Sequence, residues 1–281
     1  MLPAVQRLWP ARTARLRAQR DLGGALNSTP DPHHHSQIDQ TLPRPRIDTH
    51  AVARIAHVLT YYCIVTLNTT TQVTARTPTS VQMTLRSSPA SKEKWPHDFV
   101  VVYEVMLGAG NHLKTSMKVA NTGVEPMTFT TALHTYFRCA DATAAKVTGL
   151  KGASYLDSLN ERVRREEENE FVSFNEEVDR IYLSTTDTLA VDDVAGSRPV
   201  RITKKNLPDA VVWNPWIEKS KATGDLGDED YKQFVCVEAA AIERPVVLPA
   251  GETWECEQVL ESVKLAAPAI GAAPEEVKAE A

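Results

Sequence analysis

Two residues of this chain combine a titratable side chain with surroundings suited to moving protons, His134 and Glu238. His134 lies in Met127 to Phe137, an alternating run. Period-2 geometry puts Met127, Phe129, Thr131 and Leu133 on one face and Thr128, Thr130, Ala132, His134 and Tyr136 on the other. The imidazole thus ends a face of small polar residues, where a polar ligand has room and an acid or base is poised near neutral pH. The plainer reading is a hydrogen-bonded structural histidine. Glu238 is the single charge in Val235 to Ile242. A carboxylate buried there without a partner costs several kcal/mol or takes up a proton. A carboxyl with a raised pKa suits a general base; an ion pair with a core arginine, or an edge strand aiming Glu238 at water, would explain it equally.

Trp213 and Asn214 belong to Val211 to Trp216, which concentrates two indoles and an amide in six residues. Indoles stack on the C–H faces of sugars, although core packing is their commoner fate. Asp179, just ahead of the apolar Ile181, reads by default as a loop acid or as the partner of Arg180.

Strands must position these groups. From Val81 onward, short alternating runs separated by turn signals predict antiparallel sheets packed face to face. Phe99 to Leu107, a turn at 108–111 and the alternating Leu113 to Val119 form a hairpin with one wet face; further strands are expected at Ile181 to Leu183, Leu189 to Val191, Val200 to Thr203, Val211 to Trp213, Val235 to Ile242 and Trp254 to Leu260. Glu161 to Glu170 is the best helical candidate, with a solvated loop as its alternative.

Composition narrows the function. A length of 281 residues suits one large all-β domain, and no stretch approaches the roughly 18 uncharged apolar residues that span a bilayer. The net charge of -5 is unevenly spread: residues 1–92 hold eleven Lys/Arg and four Asp/Glu, so they carry +7 and the remainder -12. An acidic folded part without an aromatic and basic patch does not suit nucleic acid. Cys63, Cys139, Cys236 and Cys256 are too scattered for a zinc site or a disulfide framework and read as reduced thiols. Residues 1–20, with five arginines and no acid, have the composition of an organellar leader or of a basic tail; residues 1–80 are weakly organised, 81–264 form the expected domain, and 265–281 are expected to be disordered. Cytoplasmic residence is the expectation, with a plastid or other organelle as the alternative if the leader is used.

Taken together, LHTYF at 133–137, EVDRIY at 177–182, VVWNPW at 211–216 and VCVEAAAIERP at 235–245 resemble the glucose-6-phosphate 1-epimerases, a branch of the aldose 1-epimerase family. GLKGASYLD at 149–157 and KATGDLGDEDYK at 221–232 extend the likeness, which holds the family's motif order from Val81 to Leu260. The resemblance implies a galactose-mutarotase-like β-supersandwich. It also implies interconversion of the α and β anomers of glucose 6-phosphate, with Glu238 as base and His134 as acid. Asp179 is implied as a contact to the sugar, and Trp213 and Asn214 are candidates for the same task. A small sugar or sugar phosphate is the implied partner of a monomer that needs no metal or organic cofactor. The family's arginine-bearing glycine-rich segment, its Phe-Pro-Gln-Phe-Gly turn and its His-Gly-Phe-Ala-Arg motif are missing from residues 1–80. The expected sandwich is therefore incomplete on its N-terminal side and lacks the usual phosphate clamp. Mutarotation of free aldoses, and non-catalytic sugar binding by an inactive fragment, are the alternatives.

Overall fold

The computed structural model describes residues 71–109, 112–193, 199–224 and 226–263. The expectations for the leader, for most of residues 1–80 and for the tail at 265–281 lie outside the described residues.

The chain forms two antiparallel sheets. One holds β1 (Gln72–Arg76), β2 (Ser80–Arg86), β3 (Phe99–Gly108), β4 (His112–Asn121), β16 (Thr253–Ser262), β13 (Val200–Lys205), β12 (Thr188–Asp193), β7 (Ala145–Thr148) and β10 (Phe171–Val172), in that order. The other runs β5 (Met127–Leu133), β15 (Phe234–Leu248), β14 (Asp209–Asn214), β11 (Val178–Tyr182), β8 (Ser154–Asp157) and β9 (Val163–Glu166), with β6 (Tyr136–Arg138) also paired to β15. Two short helices, α1 (Pro89–Lys92) and α2 (Trp216–Ala222), fill connections. No helix among the described residues is long and apolar enough to cross a membrane.

Alternation explains the layering. Phe137, Val147, Tyr155, Val178, Tyr182, Leu189, Ile202, Val212, Val235, Val237 and Leu260 are buried in one apolar cluster. A second cluster gathers Phe99, Met117, Val119, Met127, Leu133, Leu207, Leu248 and Cys256. Each fully buried aliphatic side chain contributes roughly 1.5–3 kcal/mol, so the inward-facing set fixes the register of both sheets.

The predicted hairpin is β3 and β4, paired from Phe99 with Asn121 to Gly108 with His112. The six later strands expected from the sequence correspond to β11, β12, β13, β14, β15 and β16. The helix candidate at Glu161 to Glu170 is overturned: Val163–Glu166 is a strand, β9, paired to β8. Its charged side chains are all exposed on a sheet edge, and positive φ at Glu161 and Arg162 turns the chain back into the hairpin. The ladder, together with Arg164 reaching Glu243 at 2.8 Å, overrides the helical propensity of the run.

β15 is irregular, with a register shift between Ala241 and Val246 against β5. Buried Asp209 accepts hydrogen bonds there from the amides of Ile242 at 2.7 Å and Glu243 at 2.8 Å, and from Ser184 at 3.0 Å. Those bonds satisfy the amides of Ile242 and Glu243 at the bulge, and the regular ladder on its N-terminal side carries Glu238.

Candidate active site

The site is built on the face of the second sheet that points away from the core between the sheets. Ala239 pairs with Leu133 and Cys236 with Tyr136, so the same register sets Glu238 directly opposite His134. β14 continues the row, with Val211 opposite Glu238 and Trp213 opposite Cys236, and β11 sets Asp179 opposite Trp213. Residues opposite one another share a face. His134, Tyr136, Cys236, Glu238, Trp213 and Asp179 therefore converge from four strands and the break between β5 and β6.

His134 Nδ1 lies 3.3 Å from Glu238 Oε1. The Glu238 side chain is 9% exposed and that of His134 is 23% exposed, so the carboxyl forms the floor and the imidazole meets the opening. His134 stacks on Tyr136, with centroids 4.8 Å apart and planes 5° from parallel. Trp213 meets His134 edge-on at 5.7 Å and packs on Phe234 at 5.9 Å. Two aromatic walls thus hold the ring in one orientation.

Burial sets the electrostatics. Desolvation, with a smaller contribution from the Asp179 charge, pushes the Glu238 carboxyl up to about 8. Desolvation also pulls the His134 imidazole down to about 4. Cys236 and Tyr136, paired with each other in the row next to Glu238, are raised chiefly by burial and also by that carboxylate. Between those two values the carboxyl keeps its proton and the imidazole is neutral.

Asp179 lies on β11 within the sheet and is not the partner of Arg180. Arg180 instead reaches buried Glu167 at 3.1 Å, and Tyr182 donates to the same carboxylate at 2.7 Å. Asp179 is 25% exposed and meets Lys219 of α2 at 3.6 Å; Lys219 also reaches Glu177 at 3.3 Å. Trp213, at 8% exposure, is chiefly a wall for His134.

Asn214 is not brought into the site. It is fully buried, and its amide donates to the carbonyls of Tyr231 at 2.9 Å and Phe234 at 2.8 Å while its oxygen accepts from the Trp216 amide at 2.9 Å. Alternation explains the miss, because Asn214 neighbours Trp213 and so faces the other way. Its bonds stabilise the Asn-Pro-Trp corner, where Trp216 takes a positive φ of 54°, and that corner launches the helix carrying Lys219. Lys219 gave no signal in the sequence, because it lies far along the chain from the acids it meets. Tyr136 was legible as a member of the His134 face, and only its stacking was not. Among the described residues no three His, Cys, Asp or Glu side chains cluster so as to hold a metal ion.

Comparison with known proteins follows the same lines. Residues 68–261 match the family model described as aldose 1-epimerase. A protein of Cenchrus ciliaris named "Putative glucose-6-phosphate 1-epimerase" is 38% identical over 65% of this chain and 56% of its own length. An Escherichia coli protein of the same name is 33% identical over 56% of this chain and 51% of its own. The chain thus spans about half the length of these curated relatives. The crystal structure titled as a putative mutarotase from Salmonella typhimurium superposes with a TM-score of 0.61 at 26% identity, covering 68% of this chain and 64% of that one. A galactose mutarotase related enzyme from Lactobacillus acidophilus, at 13% identity and a TM-score of 0.58 over 71% of this chain and 73% of its own, shares the fold. With the antiparallel two-sheet architecture and the matched span, the chain belongs to the aldose 1-epimerase family.

Proposed function

We propose that this chain interconverts the α and β anomers of glucose 6-phosphate, with Glu238 as general base and His134 as general acid. The observation that carries the reading is the pair itself: a carboxyl and an imidazole opposite one another at 3.3 Å, the imidazole held between Tyr136 and Trp213. In ring opening the proton of Glu238 first passes to His134 across the 3.3 Å between them; the carboxylate then takes the proton of the anomeric hydroxyl and the imidazolium delivers its proton to the ring oxygen. The C1–O5 bond breaks and an open-chain aldehyde forms. The pair is then left with the proton on Glu238 and a neutral imidazole, the form that burial favours. Rotation about C1–C2 and the reverse transfers close the ring to the other anomer, with no net change of protons. Asp179, beside the pair and partly exposed, is positioned to accept a hydrogen bond from a sugar hydroxyl.

The substrate follows the names of the curated relatives. A second reading, mutarotation of unphosphorylated aldoses, is favoured by Lys219, the cation beside Asp179, being already engaged by two carboxylates. A coupled assay on freshly dissolved α-glucose 6-phosphate, α-glucose and α-galactose separates them. The first reading expects anomerisation of the phosphate ester above the spontaneous rate and faster than that of either free sugar. Rates equal to the buffer blank for all three would overturn both readings.

A further inference from the structure

One row of buried polar residues runs across the first sheet. Thr115, Gln258 and Lys204 lie side by side on β4, β16 and β13, and all three are buried. Lys204 donates to the carbonyl of Leu207, and Thr115 lies 3.5 Å from the Gln258 carbonyl, so two of the three are satisfied within their own neighbourhood. The Gln258 side chain is different. Fully buried, it crosses the core and donates from Nε2 to Thr135 Oγ1 at 3.0 Å. Its own Oε1 finds no hydrogen-bond partner among the described residues. A buried amide with an orphaned acceptor is a poor choice for stability alone, since an apolar side chain of that size would fill the space without the penalty.

Thr135 is the residue after His134. The pair forms the break between β5 and β6, where the regular ladder stops. The Thr135 carbonyl accepts from the Val237 amide at 3.3 Å, and its hydroxyl donates to the Leu133 carbonyl at 3.1 Å. Thr135 is buried, and alternation turns it into the core while His134 faces the cleft. A side chain anchored below this break therefore sets the height and rotation of the imidazole above it.

We propose that Gln258 is a positioning residue for His134, its amide tying the His134-Thr135 break to the opposite sheet so that the imidazole stays against Glu238. This role rests on the acid and base reading of the pair, and it adds to that reading a residue from the sheet that does not form the site. A displacement of about an ångström between reacting groups lowers a rate on the order of a hundredfold.

The test compares full-length protein carrying Gln258→Leu, Thr135→Val and Thr135→Ser. On glucose 6-phosphate, Gln258→Leu is expected to lower kcat by roughly tenfold to a hundredfold with KM within about twofold, while the thermal midpoint holds or rises. Thr135→Val attacks the same bond from its other end and gives the same signature, and it serves if the first variant does not fold. Thr135→Ser keeps the accepting oxygen and recovers most of what Thr135→Val loses. Combining Gln258→Leu with Thr135→Val costs no more than the larger single loss, because one bond is removed twice. An unchanged kcat in folded Gln258→Leu, or losses that multiply in the double variant, would overturn the proposal. If the wild-type chain does not anomerise any sugar, the functional reading falls, and the positioning role is judged by NMR titration of the 15N-labelled imidazole, assigned with His134→Ala. Its midpoint is expected to move up from about 4 toward the ordinary histidine value in Gln258→Leu. An unmoved midpoint in that folded variant rejects the role independently of turnover.

Discussion

His134 and Glu238 face one another across the junction of β15 with β5 and β6, 3.3 Å apart, on two elements separated by about a hundred residues of chain. Neither is exposed enough for water to set its protonation, and each is displaced in the direction that disfavours its charge. Between about 4 and about 8 the two groups together carry a single proton.

The first expectation concerns pH. kcat/KM for anomerisation should follow a bell, with an acid limb near about 4 and an alkaline limb near about 8, the values at which the pair gains a second proton and loses its only one. Initial rates corrected for spontaneous mutarotation check this. A profile flat from pH 5 to 9 would reject the shared-proton description.

Removing either partner should remove the chemistry. Glu238→Gln and His134→Ala are each expected to lower kcat by roughly 10²- to 10⁴-fold. Sugar affinity, measured by calorimetry, should change far less, because Trp213 and Asp179 stay in place.

Stability should carry the same signature. The unfolded chain releases the Glu238 proton near its ordinary 4.5 and the folded chain near about 8, so between them the folded state binds more protons and rising pH weakens folding. Denaturant midpoints should therefore fall more steeply with pH in the wild type than in Glu238→Gln across that window. His134 has the opposite sign: its contribution is present above 6.5 and is lost as pH falls toward about 4.

Asp179 acts on the pair through its charge. Its carboxylate holds the Glu238 value up, so Asp179→Asn should move the alkaline limb down by roughly a pH unit and raise KM. Lys219→Ala should move the same limb the other way, since it removes the cation that offsets Asp179 at 3.6 Å. Shifts in the same direction for both variants would contradict this arrangement.

Trp213 is the wall that fixes the imidazole. Trp213→Ala opens a cavity beside His134 and Phe234 and should cost about 3–5 kcal/mol in unfolding free energy. Trp213→Phe retains an aromatic edge and should lose less stability and less activity. Urea titration of the two variants beside their kinetics separates packing from chemistry.

Period-2 alternation by itself determined the sheet class, the hairpin of β3 and β4, and the face shared by His134 and Tyr136, because burial on one side of a pleat is written directly in the order of residues. The isolation of Glu238 in an apolar run was equally legible, and burial raises its pKa as that run implies. Only the tertiary structure decided what these groups meet. Register between distant strands set Glu238 against His134, Asp179 with Lys219 and Arg180 with Glu167, and no local pattern encodes such pairings. Asn214 shows the limit most plainly: its type and its place beside Trp213 suggested a ligand contact, but a single step along a strand reverses the face, and backbone carbonyls claimed the amide. Gln258 shows it from the other side, as a polar residue in an inward-facing row whose partner lies across the core.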